Sequence, residues 1–415
     1  MSTFHRRALA GLLTAAALLV APAARAGTEE FSTFDVSAQE EDDESLLDHM
    51  LTRPPRAWRD EWEHAAQALR TSQGCLTSGQ WFIDTDMKLR SPLGRRARLG
   101  IDLRQSESDA ASYDYLDFSF RFPTPLGTAG ATFRPLYDKS RQDFGLLWET
   151  GADTSRFDSQ VVFGIEDMFN NLWAFRQTRV GQASEPYERH PYEPALRLRG
   201  RGERWRADLF GQYLTPSRKR VQGYTYSMPE RRVTLWGTLG TAGLEAECLG
   251  FTCELRGSNQ QARGNDQPAD LSSVPSRNWR RRWTAEMAVG RAIAPRLGAE
   301  LRALYQSRTQ RWEGPSGPGV FDGIDRLIQL DAHWNATPAL AVRAGGLHDR
   351  IGIAHSGYQP YSTWDTRTES RAYVGLRARF GRVSVEAIEG IELDPERYEV
   401  WWVHDKGFLH LQTTF

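Results

Sequence analysis

Charged side chains recur at every second position along many segments of this sequence, and most of the basic ones are arginine. Lysine accounts for only four of the 52 basic residues. A guanidinium group binds carboxylate, phosphate or sulfate through two parallel hydrogen bonds, so rows of arginine suit contact with anions. A GC-rich genome also favours arginine, and acidic residues on the same positions can pair with the arginines and brace a wall. These interpretations stay open from the residues alone.

The candidate lining residues share the polar parity of segments that alternate with a period of two. The basic members are Arg96, Arg98, Arg104, Arg121, Arg197, Arg199, Arg204, Arg206, Arg302, Arg343, Arg377 and Arg379. The acidic members are Asp84, Asp86 and Asp102. The other parity is apolar, as in Leu99, Ile101 and Leu103. This pattern predicts β-strands with one polar and one apolar face.

The segments that carry these residues are about ten residues long, which matches a tilted β-strand that crosses a bilayer. Strands of soluble proteins more often have five or six residues. Mean hydropathy is −0.56, which excludes a membrane protein of many apolar helices. We therefore predict an all-β fold: a transmembrane antiparallel up-and-down β-barrel over residues 79–415. We expect 16–20 strands, with 18 as the central value.

Two segments precede the predicted barrel. Residues 1–26 have a basic start, an apolar stretch and an Ala24-Arg25-Ala26 cleavage pattern, which is typical of a secretory signal peptide. Residues 27–78 are predicted to form an acidic arm and an amphipathic helix over 56–70, placed in the periplasm or as a plug of the lumen. The arm is either a solvated tail or a segment that lies against a basic surface.

No motif predicts a metal site, a cofactor site or a catalytic residue. With only three cysteines, a disulfide scaffold is excluded. Cys248 and Cys253 can close a small disulfide loop in an oxidising compartment, which leaves Cys75 over. Net charge is −1 and the basic residues are spread over strands, so nucleic-acid binding is not expected.

The C-terminus alternates through Leu409, Leu411 and Thr413 toward a terminal Phe415. With the signal peptide and the serial alternation, it resembles bacterial outer-membrane β-barrels, whose last strand ends in an aromatic residue. This resemblance implies the outer membrane of a Gram-negative bacterium, contact with its lipid, and recognition of Phe415 by the barrel-assembly machinery.

The size and the arginine-rich face are also loosely similar to polysaccharide-export porins. That similarity implies a channel for polar or anionic solutes, a conduit for an acidic polysaccharide, and partners among periplasmic export components. The first alternative is a non-conducting structural or partner-docking barrel. The second is a hydrolase at the barrel rim, because Asp84-Thr85-Asp86 and Asp331-Ala332-His333 resemble the paired acids and Asp-His pair of the omptins.

The orientation of the predicted strands contains a conflict. An even number of strands with periplasmic termini would put short turns, such as 91–94, outside the cell, and long gaps in the periplasm. The predicted gaps are 167–193, 258–278, 307–323 and 348–370. Outer-membrane barrels usually have short periplasmic turns. Either strands near both ends are misassigned, or the periplasmic face is unusual.

Overall fold

A computed structural model describes twelve ranges of the chain, and all of its regular structure is β-strand. The described residues are 67–75, 81–94, 97–108, 112–133, 142–151, 156–166, 187–221, 231–268, 275–314, 317–356, 363–393 and 403–414. Within these ranges no helix is long and apolar enough to cross a membrane. The predicted signal peptide, the acidic arm and Phe415 lie outside the described residues.

Nine strand segments in the first half of the chain have at most 13 residues. They are β1 (Ala68–Cys75), β2 (Trp81–Leu93), β3 (Ala97–Ser108), β4 (Ser112–Thr124), β5 (Gly127–Phe133), β6 (Gln142–Thr150), β7 (Phe157–Glu166), β8 (Tyr187–Arg189) and β9 (Tyr192–Arg201).

Eight longer strands of 17–21 residues follow, and two shorter strands complete the sheet. The long strands are β10 (Trp205–Val221), β11 (Arg231–Cys248), β12 (Phe251–Pro268), β13 (Ser276–Ala294), β14 (Leu297–Gly314), β15 (Gly317–Thr337), β16 (Leu340–Ser356) and β17 (Thr363–Phe380). The last two are β18 (Val383–Glu392) and β19 (Val403–Thr414).

The sheet closes on itself into a barrel of 18 strands. β1 pairs with both β2 and β19, so that Ala68 lies opposite Thr414 and Gly74 lies opposite Phe408. β8 and β9 both pair with β10 and form one strand, interrupted at His190-Pro191. Proline has no N–H to donate to the ladder, which explains the interruption. The antiparallel barrel and its central value of 18 strands are confirmed.

The barrel begins before the predicted boundary at residue 79. Residues 68–70, the end of the predicted helix 56–70, are the first residues of β1, Gln67 is a bend before it, and residues 56–66 lie outside the described residues. The prediction missed β1 because its outward positions, Leu69, Thr71 and Gln73, are mostly polar and show no apolar alternation. Its inward positions are satisfied instead by partners on neighbouring strands, such as Asp86 for Arg70.

Adding β1 resolves the conflict over orientation. Seven connections of two or three residues (94–96, 125–126, 202–204, 249–250, 295–296, 338–339 and 381–382) now lie at the same end as both termini of the barrel, whereas two, 109–111 and 315–316, join strands at the other end. This is the usual arrangement, with short turns in the periplasm and longer connections outside. The first explanation was therefore right in part: a strand was missed at the N-terminal end.

Three of the four predicted gaps are largely strand. Much of 258–278, 307–323 and 348–370 belongs to β12–β17, and β8 lies within 167–193. A barrel strand needs about 9–11 residues to cross a bilayer, so strands of 17–21 residues rise beyond it. The alternation is lost there because both faces of the sheet meet water, and the sequence pattern therefore resembled loops.

The tight turn between β11 and β12 decides the state of the cysteines. Leu249 and Gly250 both have positive φ, 55° and 78°, as a two-residue hairpin turn of type I′ requires. In this register Cys248 lies opposite Phe251, and Cys253 lies opposite Ala246. The cysteines are therefore diagonal neighbours, about 7–8 Å apart, beyond the reach of a disulfide. Both thiols are free, so the predicted disulfide is not formed.

The outer surface carries an apolar belt around the barrel. Its members are exposed side chains on the apolar parity, including Phe122, Leu146, Leu209, Leu301, Ile328, Leu330, Trp334, Leu376 and Phe380. Ile328 and Leu330 are 55% and 58% exposed. Asp331, which follows Leu330 and precedes Trp334 along β15, is only 1% exposed. An exposed apolar belt with charged side chains inside is the pattern of a barrel embedded in lipid.

Candidate functional site

The inner wall of the barrel brings together the polar parity that the sequence singled out. On β15 the inward side chains are Asp325, Leu327, Gln329 and Asp331, all at most 1% exposed. The outward neighbours Ile328 and Leu330 belong to the apolar belt. Because successive side chains of a strand point to opposite faces, one strand supplies both the lipid contact and the lumenal chemistry.

Five inward side chains on β15–β18 form a lumenal network: Gln329, Asp331, Arg343, Tyr373 and Glu386. The Arg343 Nε donates to Asp331 Oδ2 at 2.5 Å, and the Tyr373 hydroxyl donates to the same oxygen at 2.6 Å. The Gln329 amide donates to the Tyr373 oxygen at 2.9 Å. Arg343 also lies 3.5 Å from Glu386. One aspartate thus joins three strands.

Gly345 leaves the space in which the Tyr373 ring lies. A Cβ at this position would be 2.5 Å from Tyr373 Cζ and would also overlap the Tyr373 hydroxyl and the backbone oxygen of Leu330. Arg343 lies over the same ring, with its guanidinium carbon 5.0 Å from the centroid. The ring is therefore held from both sides, which fixes the hydroxyl in line with Asp331.

At least five of the ten predicted arginines with described side chains, Arg121, Arg197, Arg199, Arg302 and Arg343, lie within 4 Å of a carboxylate. Arg197 pairs with Asp208 at 2.7 Å, and Arg121 lies 3.6 Å from Glu149. Arg302 is 1% exposed and pairs with Glu300 two residues before it on β14. The predicted acids are also paired: Asp86 with Arg70 at 2.7 Å and Asp102 with Arg90 at 2.8 Å. Pairing across the wall was one of the interpretations that the sequence left open, and these contacts support it.

A second group of predicted arginines is exposed at the end of the barrel that carries the short turns. These mouth arginines are Arg98, Arg199, Arg201, Arg206 and Arg379, and Arg201 is the member that the sequence analysis did not name. Arg199 and Arg201 share one carboxylate, Asp158, at 2.6 and 3.2 Å, and remain 45% and 43% exposed. Arg206 lies opposite Arg201 in the register. On its other side Arg206 lies opposite Glu245 of β11, so Arg199, Arg201 and Arg206 lie beside two carboxylates, Asp158 and Glu245.

The remaining predicted residues are placed less fully. Arg96 lies outside the described residues, and only the backbones of Asp84 and Arg104 are described. Arg204 was predicted to lie on a strand. It lies instead in the turn at 202–204 between β9 and β10, because β10 begins only at Trp205. Arg377 donates to the Ser384 hydroxyl at 3.4 Å, and Arg379 donates to the Gly381 backbone oxygen at 3.2 Å.

Sequence reasoning missed a layer of buried charge above the network. Asp325, Asp349, Glu369 and Arg371 are each at most 2% exposed. Arg308 lies 3.4 Å from Asp325, and Arg371 lies 3.3 Å from Glu369. The signal was absent because Asp349 and Glu369 fall in a region predicted as a gap. Only a weak indication of Tyr373 was present in the sequence: it lies an even number of residues from Arg377 and Arg379 and therefore faces the same side of the strand.

The paired acids and the Asp-His pair that resemble those of the omptins lie on strands that are not neighbours in the sheet. Asp84 and Asp86 lie on β2, whereas Asp331 and His333 lie on β15, with β16–β19 and β1 between them in the sheet. Asp331 already accepts hydrogen bonds from Arg343 and Tyr373. Within the described ranges, no group of three or more His, Cys, Asp or Glu side chains is placed to hold a metal ion.

Comparisons with known proteins agree at the level of the fold only. No protein-family model matches the chain, and no curated protein matches it. Among solved structures, CdiB from Acinetobacter baumannii is 11% identical with a TM-score of 0.42, over 84% of this chain. The chain spans about 60% of the length of that structure.

Two further structures match most of their own length. A bacterial polysaccharide outer membrane secretin is 11% identical with a TM-score of 0.38, over 85% of this chain and 99% of its own. OccK11 from Pseudomonas aeruginosa is 15% identical with a TM-score of 0.36, over 84% of this chain and 94% of its own. The closed sheet, the apolar belt and the charged inner wall define the chain as an outer-membrane β-barrel.

Proposed function

We propose that this barrel is a channel for anionic solutes, and that its cargo includes an acidic polysaccharide on its way out of the cell. The observation that carries the proposal is the cluster of mouth arginines on β9 and β10. There, Arg199, Arg201 and Arg206, with Arg197 behind them, face three carboxylates in the described residues, Asp158, Asp208 and Glu245. Barrels of 16–18 strands are wide enough for an aqueous channel.

The position of the cluster suits the collection of anions from the periplasm. Rings of arginine or lysine select anions in pores because the charge raises the local concentration of the permeating ion. Since the mouth arginines are exposed, their field acts on solutes at the entrance. The lumenal network behind them has paired charges, which suits a wall that a hydrated polymer passes without tight binding.

Removing mouth charge is expected to change ion selectivity. The change is Arg199→Gln with Arg206→Gln in the mature protein, recorded as single channels in planar bilayers under a salt gradient. The ratio of anion to cation permeability should fall about twofold or more, because two of four guanidinium charges are lost. Arg291→Gln is the matched control, because Arg291 lies at the same end but contacts Phe251 on the outer face. A ratio that the double variant leaves unchanged contradicts the anion path.

The polysaccharide assignment has its own expected result. An acidic polymer such as polygalacturonate, added on the side of the termini, should interrupt the current at a lower concentration than dextran of equal length. The difference should shrink in the Arg199→Gln, Arg206→Gln variant and at high salt, because exposed charges are screened beyond about 10 Å at 0.1 M ionic strength. Equal blockade by both polymers would restrict the channel to small solutes.

A non-conducting barrel is the second candidate, and burial of the inner wall favours it. Arg302, Arg343 and Arg371 are at most 2% exposed although they face inward. The same recordings distinguish the two candidates, since a docking barrel stays silent. A variant that lacks residues 27–66 keeps β1 intact and should also stay silent if the barrel does not conduct. A large current from that variant would favour the channel.

A further inference from the structure

Arginine also occurs on the outer surface, at the end of the barrel opposite its termini. Arg326 on β15 and Arg350 on β16 lie directly opposite each other in the register, and both side chains are exposed. Arg326 shares the parity of Ile328 and Leu330, which are 55% and 58% exposed. The two guanidinium groups therefore point away from the lumen, next to the exposed apolar side chains of Ile328 and Leu330 on β15.

The height of this pair matches the headgroup region of a bilayer. About twelve residues separate Arg326 from the turn at 338–339, which gives about 30 Å at a rise of about 3.4 Å and a tilt of about 40°. The apolar band of such barrels is about 25 Å tall. Tyr305 lies opposite Arg326, and its ring contacts Trp283 at 5.1 Å between centroids. Tyrosine and tryptophan mark the interface of a membrane.

The outer pair differs from the inner arginines in its lack of acidic partners. Arg302, Arg343 and Arg371 each have a carboxylate within 3.5 Å. Within the described ranges, no ion pair joins Arg326 or Arg350 to a carboxylate. Like charges placed directly opposite each other destabilise a sheet. An anion from outside the chain would remove that repulsion, and the adjacent apolar belt would favour one attached to a lipid.

We propose that Arg326 and Arg350 bind a phosphate group of a glycolipid in the outer leaflet of the membrane. A phosphate accepts paired hydrogen bonds from each planar guanidinium. The acyl chains of the same molecule lie against Ile328, Leu330 and Ala344, which continue the outward faces of β15 and β16 toward the membrane centre. A free phosphate ion would gain the first contact but not the second.

Native mass spectrometry of the mature protein with diphosphorylated lipid A tests this assignment. Arg326→Gln with Arg350→Gln should raise the apparent Kd for lipid A at least about tenfold, because the variant loses the charged hydrogen-bond donors of both guanidinium groups. Arg291→Gln removes an outward arginine at the other end and should leave the Kd unchanged. Unaltered far-UV circular dichroism and heat-dependent gel mobility establish that the variant barrel is folded.

Two further probes identify the source of the phosphate. Lipid A stripped of its phosphates should bind the native protein as weakly as diphosphorylated lipid A binds the double variant. Inorganic phosphate at millimolar concentration should not displace lipid A. Equal affinity of native and variant protein, equal affinity for the stripped lipid, or displacement by inorganic phosphate would each overturn the proposal. Conductance is not a readout here, so the result is independent of the proposed channel.

Discussion

Asp331→Ala is expected to lower the free energy of unfolding of the barrel by about 3–5 kcal/mol, because it removes the nearest carboxylate of a buried arginine. Arg343 is fully buried, and its Nε would lose the carboxylate at 2.5 Å. The Tyr373 hydroxyl would lose its acceptor at 2.6 Å as well. Urea unfolding of the protein refolded into lipid vesicles, followed by tryptophan fluorescence, measures the loss.

Glu313→Ala is the matched control for a broken ion pair. Glu313 lies 3.9 Å from Arg277, with the two side chains 69% and 74% exposed, and such surface pairs contribute at most about 1 kcal/mol. Adding Arg343→Met and Glu386→Gln to Asp331→Ala should recover much of the stability, since both remaining charges of the network are then removed together. If Asp331→Ala and Glu313→Ala have equal effects, the network does not stabilise the wall.

Gly345→Ala is the second change for which we expect a large effect, about 1–3 kcal/mol or more. The added Cβ would overlap the Leu330 backbone oxygen and the Tyr373 phenol. The Leu330 oxygen belongs to the backbone of a sheet, and it cannot move without disturbing the hydrogen bonds between strands. The strain therefore cannot relax through a side chain alone. The measurement is again urea unfolding, together with the yield of folded protein recovered in the membrane fraction.

The adjacent glycine provides the control. A Cβ at Gly346 would lie 3.4 Å from the Arg371 backbone oxygen, which is an ordinary contact. Gly346→Ala should therefore fold in native yield and change stability by less than about 1 kcal/mol. Adding Tyr373→Ala to Gly345→Ala should recover only part of the loss, because the overlap with Leu330 remains. Equal behaviour of the two glycine variants would show that Gly345 has no special role.

The sequence predicts the parts of this fold that lie inside the bilayer. Leu330 and Trp334 alternate with Asp331 and His333 because lipid and lumen impose opposite chemistry on successive residues. β1 and the upper halves of β12–β17 could not be recognised, since both of their faces are polar. Their strand pairing depends on partners far along the chain, such as Thr414 for Ala68.

The sequence predicted which side chains of the candidate site face the lumen, but not which of them contact each other. The alternation of polar and apolar residues around Arg343 and Asp331 is visible in the local sequence, and it placed both side chains on the inner wall. Their mutual contact depends on the register between β15 and β16, which a turn of two residues at 338–339 fixes with a bulge beside it. The space that Gly345 leaves for Tyr373 depends on two registers at once, so no local pattern indicates it.

The unequal lengths of the strands give the described barrel a slanted outer edge. β10–β17 have 17–21 residues, whereas β1–β7 have 7–13. A difference of about eight residues corresponds to about 20 Å of height, so the described strands form a high collar along about half of the circumference. In the proposed channel, a polymer leaving the lumen would meet this collar on one side and lower strands on the other. The collar would then direct it sideways, along the cell surface and away from β10–β17.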